Sequence, residues 1–322
     1  MTQTSVLVSN SEKMLQEISK LKRQHGALIL AHNYQIPEIH DIADHVDDSL
    51  GLSQTTTRVN NKLIIFCGVH FMAETASILC PEKKILIPDT RAGCSLASSI
   101  NVEELRLWKR KHPKTIVVSY VNTTADVKAE SDYCCTSTNA IKVIESISKE
   151  KEILFVPDLF LGSYVASKTG RRLHLWPGEC HVHAGILPDD IITKRAIYPN
   201  AEFLIHPECG CGNSSLYYLA EGDVPLKNTH VLSTSRMISY SKESPAKEFI
   251  IATETGILHQ LRKRSPQKSF YPAADGAICQ YMKTITIDKV LHSLKKQVYE
   301  VKVSPSIATK AKVAIDRMME LN

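Results

Sequence analysis

The sequence predicts an α/β protein built of three similar three-layer αβα units with parallel sheets, arranged around a pseudo-threefold axis. Three observations predict it. Buried-strand signals recur in triplicate, helix-sized segments separate the runs within each copy, and a cysteine closes every copy.

In chain order, the first run of each copy is apolar and β-branched and stops at a polar residue. These runs are Ala27-Leu-Ile-Leu-Ala31 before His32, Thr115-Ile-Val-Val-Ser119 before Tyr120, and Ala201-Glu-Phe-Leu-Ile205 before His206. Short continuous runs of this kind read as strands buried on both faces. The second runs are Leu63-Ile-Ile-Phe-Cys67, Ile153-Leu-Phe-Val156 and Phe249-Ile-Ile-Ala252, each followed by helix-like sequence. The third carry a proline, in Ile85-Leu-Ile-Pro88, Leu173-His-Leu-Trp-Pro177 and Phe270-Tyr-Pro272, and Cys94, Cys180 and Cys279 stand shortly beyond. The cysteines are 86 and 99 residues apart, and Ile29, Val117 and Phe203 in the first runs are 88 and 86 apart.

Strands linked through helices make parallel sheets, with ligand sites in the loops at the strands' carboxyl ends. Units of this size have small cores on their own, so packing about an axis is expected, with those loops pointing inwards. The expected boundaries are 1–97 for the first unit, completed by the segment 280–322, then 98–183 and 184–279.

Of 322 residues, 43% are apolar and 23% charged, the profile of a folded chain. No stretch approaches the roughly 18 to 20 apolar residues that span a bilayer. Residues 1–22 carry neither a signal-peptide nor a transit-peptide pattern, so a cytoplasmic location is expected. Nine cysteines in that compartment are not a disulfide framework. Lys plus Arg is 39 against 34 for Asp plus Glu, a dispersed excess of +5. That suits an anionic small-molecule substrate, and neither nucleic acid nor membrane is expected as a partner.

Each of Cys94, Cys180 and Cys279 lies in the carboxyl-end loop of a different unit, so all three can meet near the axis. Three thiolates suit an iron–sulfur cubane with one iron left open. Zinc with a water in its fourth position also fits, so spacing leaves the element undecided. Cys67 and Cys80, in or beside apolar runs, read as small buried hydrophobes. Cys134-Cys135 and Cys209-Gly-Cys211 are too closely spaced for joint ligation and read as local packing, with some sensitivity to oxidation.

His32-Asn33-Tyr34, Tyr120-Val121-Asn122 and His206-Pro207-Glu208 all begin where a first strand ends, a position that favours function over packing. His and Tyr there can donate to substrate anions, and Glu208 is a candidate general base. His183 shares the Cys180-His-Val-His183 loop and lies within reach of a metal-bound substrate. Ser49 and Ser137 each fall 17 residues after the first-strand polar residue of their unit, and Ser233-Thr234 stands at the corresponding place behind a longer insertion. All precede helical sequence, where a hydroxyl beside unpaired N–H groups can hold a carboxylate or phosphate, or can simply cap the helix.

With these residues assembled, the chain closely resembles the quinolinate synthase family, iron–sulfur enzymes of de novo NAD biosynthesis. The motifs run in fixed order over nearly the whole chain: Ala31-His-Asn-Tyr-Gln35, Gly68-Val-His-Phe-Met-Ala-Glu74, Ala92-Gly-Cys-Ser-Leu-Ala97, Tyr120-Val-Asn-Thr-Thr124, Cys135-Thr-Ser-Thr-Asn-Ala140, Gly178-Glu-Cys-His-Val-His183, His206-Pro-Glu-Cys209, Ala252-Thr-Glu-Thr-Gly256 and Cys279-Gln-Tyr-Met-Lys283. The resemblance implies three homologous α/β layers about a pseudo-threefold axis. It also implies a [4Fe-4S] cluster on Cys94, Cys180 and Cys279, with the fourth iron open to substrate.

The reaction implied is condensation of iminoaspartate (iminosuccinate) with dihydroxyacetone phosphate to quinolinate, phosphate and two waters. Substrate contacts then fall to His32, Ser49, Tyr120, Asn122, Ser137, His206, Glu208 and Thr234, with Tyr34, His183, His206 and Glu208 in catalytic roles. The partners expected are those two substrates and an iminoaspartate-producing enzyme, with the chain a monomer or homodimer. Around Cys279 the chain lacks the extra cysteines that some members carry, so no disulfide switch is expected there. The alternatives are a cluster-dependent hydratase or dehydratase of a small di- or tricarboxylate, and a non-enzymatic iron–sulfur sensor.

Overall fold

In a computed structural model, residues 3–210 and 228–321 are described. Within them the three first runs form β1 (Ala27–His32), β5 (Ile116–Tyr120) and β9 (Glu202–Ile205), and the second runs form β3 (Leu63–Cys67), β7 (Ile153–Val156) and β11 (Glu248–Ala252). Ile29, Leu30, Ile64, Ile65, Phe155, Phe203 and Ile250 have no exposed surface. Burial on both faces is why these strands are written as unbroken apolar runs. The proline-bearing runs give β4 (Lys84–Leu86), β8 (His174–Leu175) and β12 (Ser269–Pro272).

The sequence expectation stopped at three strands per unit, and each sheet has a fourth. The additions are β2 (His45–Asp47), β6 (Tyr133–Cys135) and β10 (Thr229–Val231). Three residues are too few to register as an apolar run. The three sheets share one order, β2-β1-β3-β4, β6-β5-β7-β8 and β10-β9-β11-β12, and every pairing is parallel.

Helices flank each sheet. The first has α1 (Gln3–His25), α2 (Pro37–Ile42), α3 (Ser49–Arg58) and α4 (His70–Leu79). The second has α5 (Val102–Lys111), α6 (Ala125–Ala129), α7 (Ala140–Ser146) and α8 (Leu159–Thr169). Then come α9 (His181–Ala184), α10 (Pro188–Ile197), α11 (Thr234–Glu243) and α12 (Ile257–Arg264), and finally α13 (Ile287–Lys296) and α14 (Pro305–Glu320). Local chemistry sets their ends. Asn101 and Glu104 form a reciprocal capping box on α5, and Gly170 at φ +63° closes α8 in the left-handed conformation that glycine tolerates.

The repetition extends to side chains that no periodicity reveals. Asp44 and Asp132 each take a main-chain N–H of the first strand of their sheet, Ile29 and Val117, at 2.8 Å. A cation just before the last strand closes the carboxyl end of a crossover helix in all three copies. Lys83 reaches Val59 O at 2.6 Å beyond α3, Arg171 reaches Ile147 O at 2.8 Å beyond α7, and Lys268 reaches Ser241 O at 2.6 Å in α11. Orphan carbonyls and the negative end of the helix dipole make that position favour a positive charge.

By internal contacts the chain divides into two compact units: Met1–Gly93 with Gln280–Val303, and Cys94–Cys279 with Ser304–Asn322. In the former, the returning segment is tied to the first sheet by Ile87 N to Tyr299 O at 3.0 Å and Val301 N to Ile85 O at 2.9 Å. In the latter, α14 buries Ala311, Ala314, Ile315 and Met318 and packs on α6 and β6. The segment 304–322, grouped above with the first unit, thus covers the second sheet. No described helix is long and apolar enough to cross a membrane.

Candidate active site

The three cysteines predicted to meet occupy equivalent places in the backbone. In each copy, the carbonyl two residues before the cysteine accepts an N–H from the chain that leaves the second strand. His70 N donates to Ala92 O at 2.7 Å, Leu159 N to Gly178 O at 2.8 Å, and Thr255 N to Ala277 O at 2.9 Å. Cys94, Cys180 and Cys279 follow those carbonyls, are partly buried, and take part in no disulfide. Cys94 Sγ accepts the Ala97 N–H at 3.4 Å, and Cys180 is the residue before α9. Burial pushes the Cys94 thiol up to about 12, and the charges of Glu208 and Cys279 push the same way. Cys180 is raised by burial and by Glu208 and Cys94. As thiolates, these neighbours repel one another.

Gly178 supplies the close approach this needs, since a Cβ there would lie 2.2 Å from Ser99 Oγ and 2.5 Å from Pro157 O. Gly178→Ala is therefore expected to displace the Cys180 loop and lower the melting temperature. Unchanged melting on thermal denaturation would contradict that packing.

Beside Cys180 sits a buried polar cluster. A sulfur of Cys180, a ring nitrogen of His183 and a carboxylate oxygen of Glu208 lie within 4.8 Å of one another, a group that could hold a metal. His183 Nδ1 is 3.0 Å from Glu208 Oε2, and Nε2 is 2.8 Å from Thr253 Oγ1. Tyr120 donates its hydroxyl to Glu208 Oε1, and Asn122 Nδ2 approaches the same oxygen at 3.5 Å. The His183 and His206 rings stack with centroids 5.0 Å apart. Burial opposes charge on both partners of the His183–Glu208 pair, but mutual attraction prevails. The Cys180 and Glu208 charges hold His183 above the usual imidazole range, and His183 holds Glu208 below the usual carboxylate range.

His206 behaves oppositely. Its Nδ1 accepts the Glu208 N–H at 3.4 Å, so the neutral ring carries its proton on Nε2, which donates to Ser137 Oγ at 3.2 Å. His32 repeats the arrangement at the end of β1, where Tyr34 N donates to its Nδ1 at 3.2 Å. Burial pushes His206 down to about 4, helped by the charge of His183. A folded value below the ordinary 6.5 means this group's stability contribution is present above pH 6.5 and is lost as pH falls towards 4. His206→Asn is expected to flatten the acid limb of the metal-free protein's stability profile between those limits, an effect of up to about 3 kcal/mol. Identical acid limbs in wild type and variant, measured by urea denaturation, would contradict it.

Tyr120, Asn122, Ser137, His183, His206 and Glu208 thus lie together by direct contact, in the same compact unit as the three cysteines. Thr234 is in that unit too, buried at the first position of α11. His32, Tyr34 and Ser49 belong to the other unit, at the carboxyl side of the first sheet, where the His32 and Tyr34 rings meet edge-on at 4.6 Å. Asp48, and not Ser49, caps α3, and Ser233 of the Ser233-Thr234 pair caps α11 as expected, while α7 has no side-chain cap and Ser137 lies two residues before its flanking Asn139.

Cys67 and Cys80 are buried as expected, and so are Cys134 and Cys135. Cys209 is buried and disulfide-bonded, while Cys211 and the insertion before Ser233 lie outside the described residues. Thr253 and Glu254, within the Ala252-Thr-Glu-Thr-Gly256 motif, received no role from sequence reasoning. Their position just past the second strand of the third copy is the signal that marks them.

Comparison with known proteins matches residues 16–320 to the family model described as Quinolinate synthetase A protein. Among curated relatives named Quinolinate synthase, that of Pyrobaculum aerophilum is 52% identical over 305 residues, covering 95% of this chain and 98% of the relative. One from Thermus thermophilus is 51% identical over 308 residues, covering 96% and 97%. One from Mycobacterium tuberculosis is 50% identical over 315 residues, covering 98% and 90%.

Proposed function

We propose, from the premise that this chain belongs to the quinolinate synthase family of enzymes, that it condenses iminoaspartate with dihydroxyacetone phosphate in the cytoplasm and releases phosphate and two waters. A [4Fe-4S] cluster on Cys94, Cys180 and Cys279, with the three units set about a pseudo-threefold axis, completes the reading. The observation that carries it is the shared backbone bond behind each cysteine, which sets Cys94, Cys180 and Cys279 at one register in three copies. When bound, the cluster supplies a Lewis acid that polarises a substrate oxygen without electron transfer.

A single ion on Cys180, His183 and Glu208 fits less well. His183 Nε2 already faces Thr253 Oγ1 at 2.8 Å, and Glu208 Oε1 takes the Tyr120 hydroxyl. Such a site also leaves Cys94 and Cys279 without a use.

The chain's own groups suit dehydration. Loss of water needs a base for a carbon-bound proton and an acid for the departing hydroxyl. Glu208 accepts the first proton and His183 delivers the second. Transfer of the new Glu208 proton to Nδ1 of His183, 3.0 Å away, restores the starting state. Tyr120, Asn122, Ser137 and His206 supply donors to substrate oxygens, joined by His32, Ser49 and Thr234 at strand and helix ends.

Tyr34 serves as a further proton-transfer group. Tyr34→Phe is expected to keep fold, cluster and triose phosphate binding while an unreacted precursor accumulates in anaerobic single turnover, followed by mass spectrometry. Quinolinate at wild-type yield would reduce the ring to packing. For the reaction as a whole, the anaerobically reconstituted protein is given both substrates. One quinolinate and one phosphate per turnover support the reading, and reversible hydration of a di- or tricarboxylate without quinolinate would replace it.

A further inference from the structure

Val69, Asp158 and Glu254 occupy one position in three copies. Each directly precedes the residue whose N–H holds the carbonyl two places before a cysteine. Val69 has no polar atom in its side chain. Asp158 accepts the Leu161 N–H at 2.6 Å and caps its own helix. Glu254, one methylene longer and fully buried, reaches further. Its Oε2 accepts the Gly256 N–H at 2.7 Å, and its Oε1 accepts the backbone N–H of Cys279 at 3.0 Å. With Thr255 N on Ala277 O at 2.9 Å, two successive bonds pin the loop that carries Cys279.

We propose that Glu254 is a positioning residue for Cys279, fixing the cysteine's backbone N–H and thereby the direction in which its sulfur is presented. The proposal rests on the reading of Cys279 as a cluster ligand. Two features make the fit specific. The carboxylate has an acceptor oxygen for each N–H, whereas an amide has one. The Cys279 N–H is also donated to this carboxylate across 25 residues of chain. Groups that orient a ligand from behind commonly matter about 10- to 100-fold to metal retention.

Glu254→Gln and Glu254→Asp are compared with wild type and with Cys279→Ala. Iron release from the reconstituted protein to a chelator is measured, together with iodoacetamide labelling of each cysteine in the metal-free protein by mass spectrometry. Expected are iron release about 10- to 100-fold faster in both Glu254 variants and faster labelling of Cys279, with Cys94 and Cys180 within about twofold of wild type. Equal acceleration at all three cysteines would indicate general loosening and overturn the proposal, as would unchanged release and labelling. If Cys279→Ala keeps a full cluster, the ligand reading itself fails. If Cys279→Ala loses it while the Glu254 variants match wild type, only the role of Glu254 fails.

Discussion

Alanine at Cys94, Cys180 or Cys279, one at a time, is expected to abolish the visible absorbance of an anaerobically prepared cluster, while Cys134→Ala and Cys209→Ala leave it intact. The three copies share the bond that sets each loop, so removal of one sulfur removes one of three equivalent anchors. An iron of the proposed cluster would thereby lose its soft ligand. The controls differ in their surroundings. Cys134 is fully buried on β6, and Cys209 is buried and disulfide-bonded. Neither follows a carbonyl held by the chain that leaves a second strand, as Cys94, Cys180 and Cys279 do. Loss of absorbance in Cys209→Ala but not in Cys94→Ala would transfer the ligand role and undo the equivalence argument.

Glu208→Gln should lower quinolinate turnover by about 10²-fold or more with cluster content unchanged. The substitution preserves shape but removes the base and half of the pair with His183, whose Nδ1 lies 3.0 Å from the carboxylate. His183 owes its raised pKa to the neighbouring charges of Cys180 and Glu208. Without the carboxylate, it therefore becomes a stronger acid, and the transfer that returns a proton to it is lost. The readouts are steady-state quinolinate formation and iron content on the same sample. Turnover near wild type with a normal cluster would remove Glu208 from proton transfer.

Much of this was legible because a buried parallel strand has no polar face to interrupt it. β3 and β7 match their predicted runs end to end, and the residues where first strands stop supplied His32, Tyr120 and His206. Edge strands such as β2 and β10 are short and only partly buried, so composition does not announce them. Contacts between distant segments were equally hidden. Nothing in the sequence pairs His183 with Thr253, sets Lys268 on the end of α11, or sends α14 to the second sheet. Glu254 sat inside a recognisable motif, yet its use depends on reaching Cys279, 25 residues on. Such roles follow from side-chain length at a folded position, which periodicity does not encode.

The central claim, that three equivalent loops together hold one cluster, is tested most directly by iron and acid-labile sulfide analysis of the anaerobically reconstituted chain. Roughly four of each per chain are expected. One zinc or iron per chain without sulfide would contradict it and return the site to Cys180, His183 and Glu208 alone.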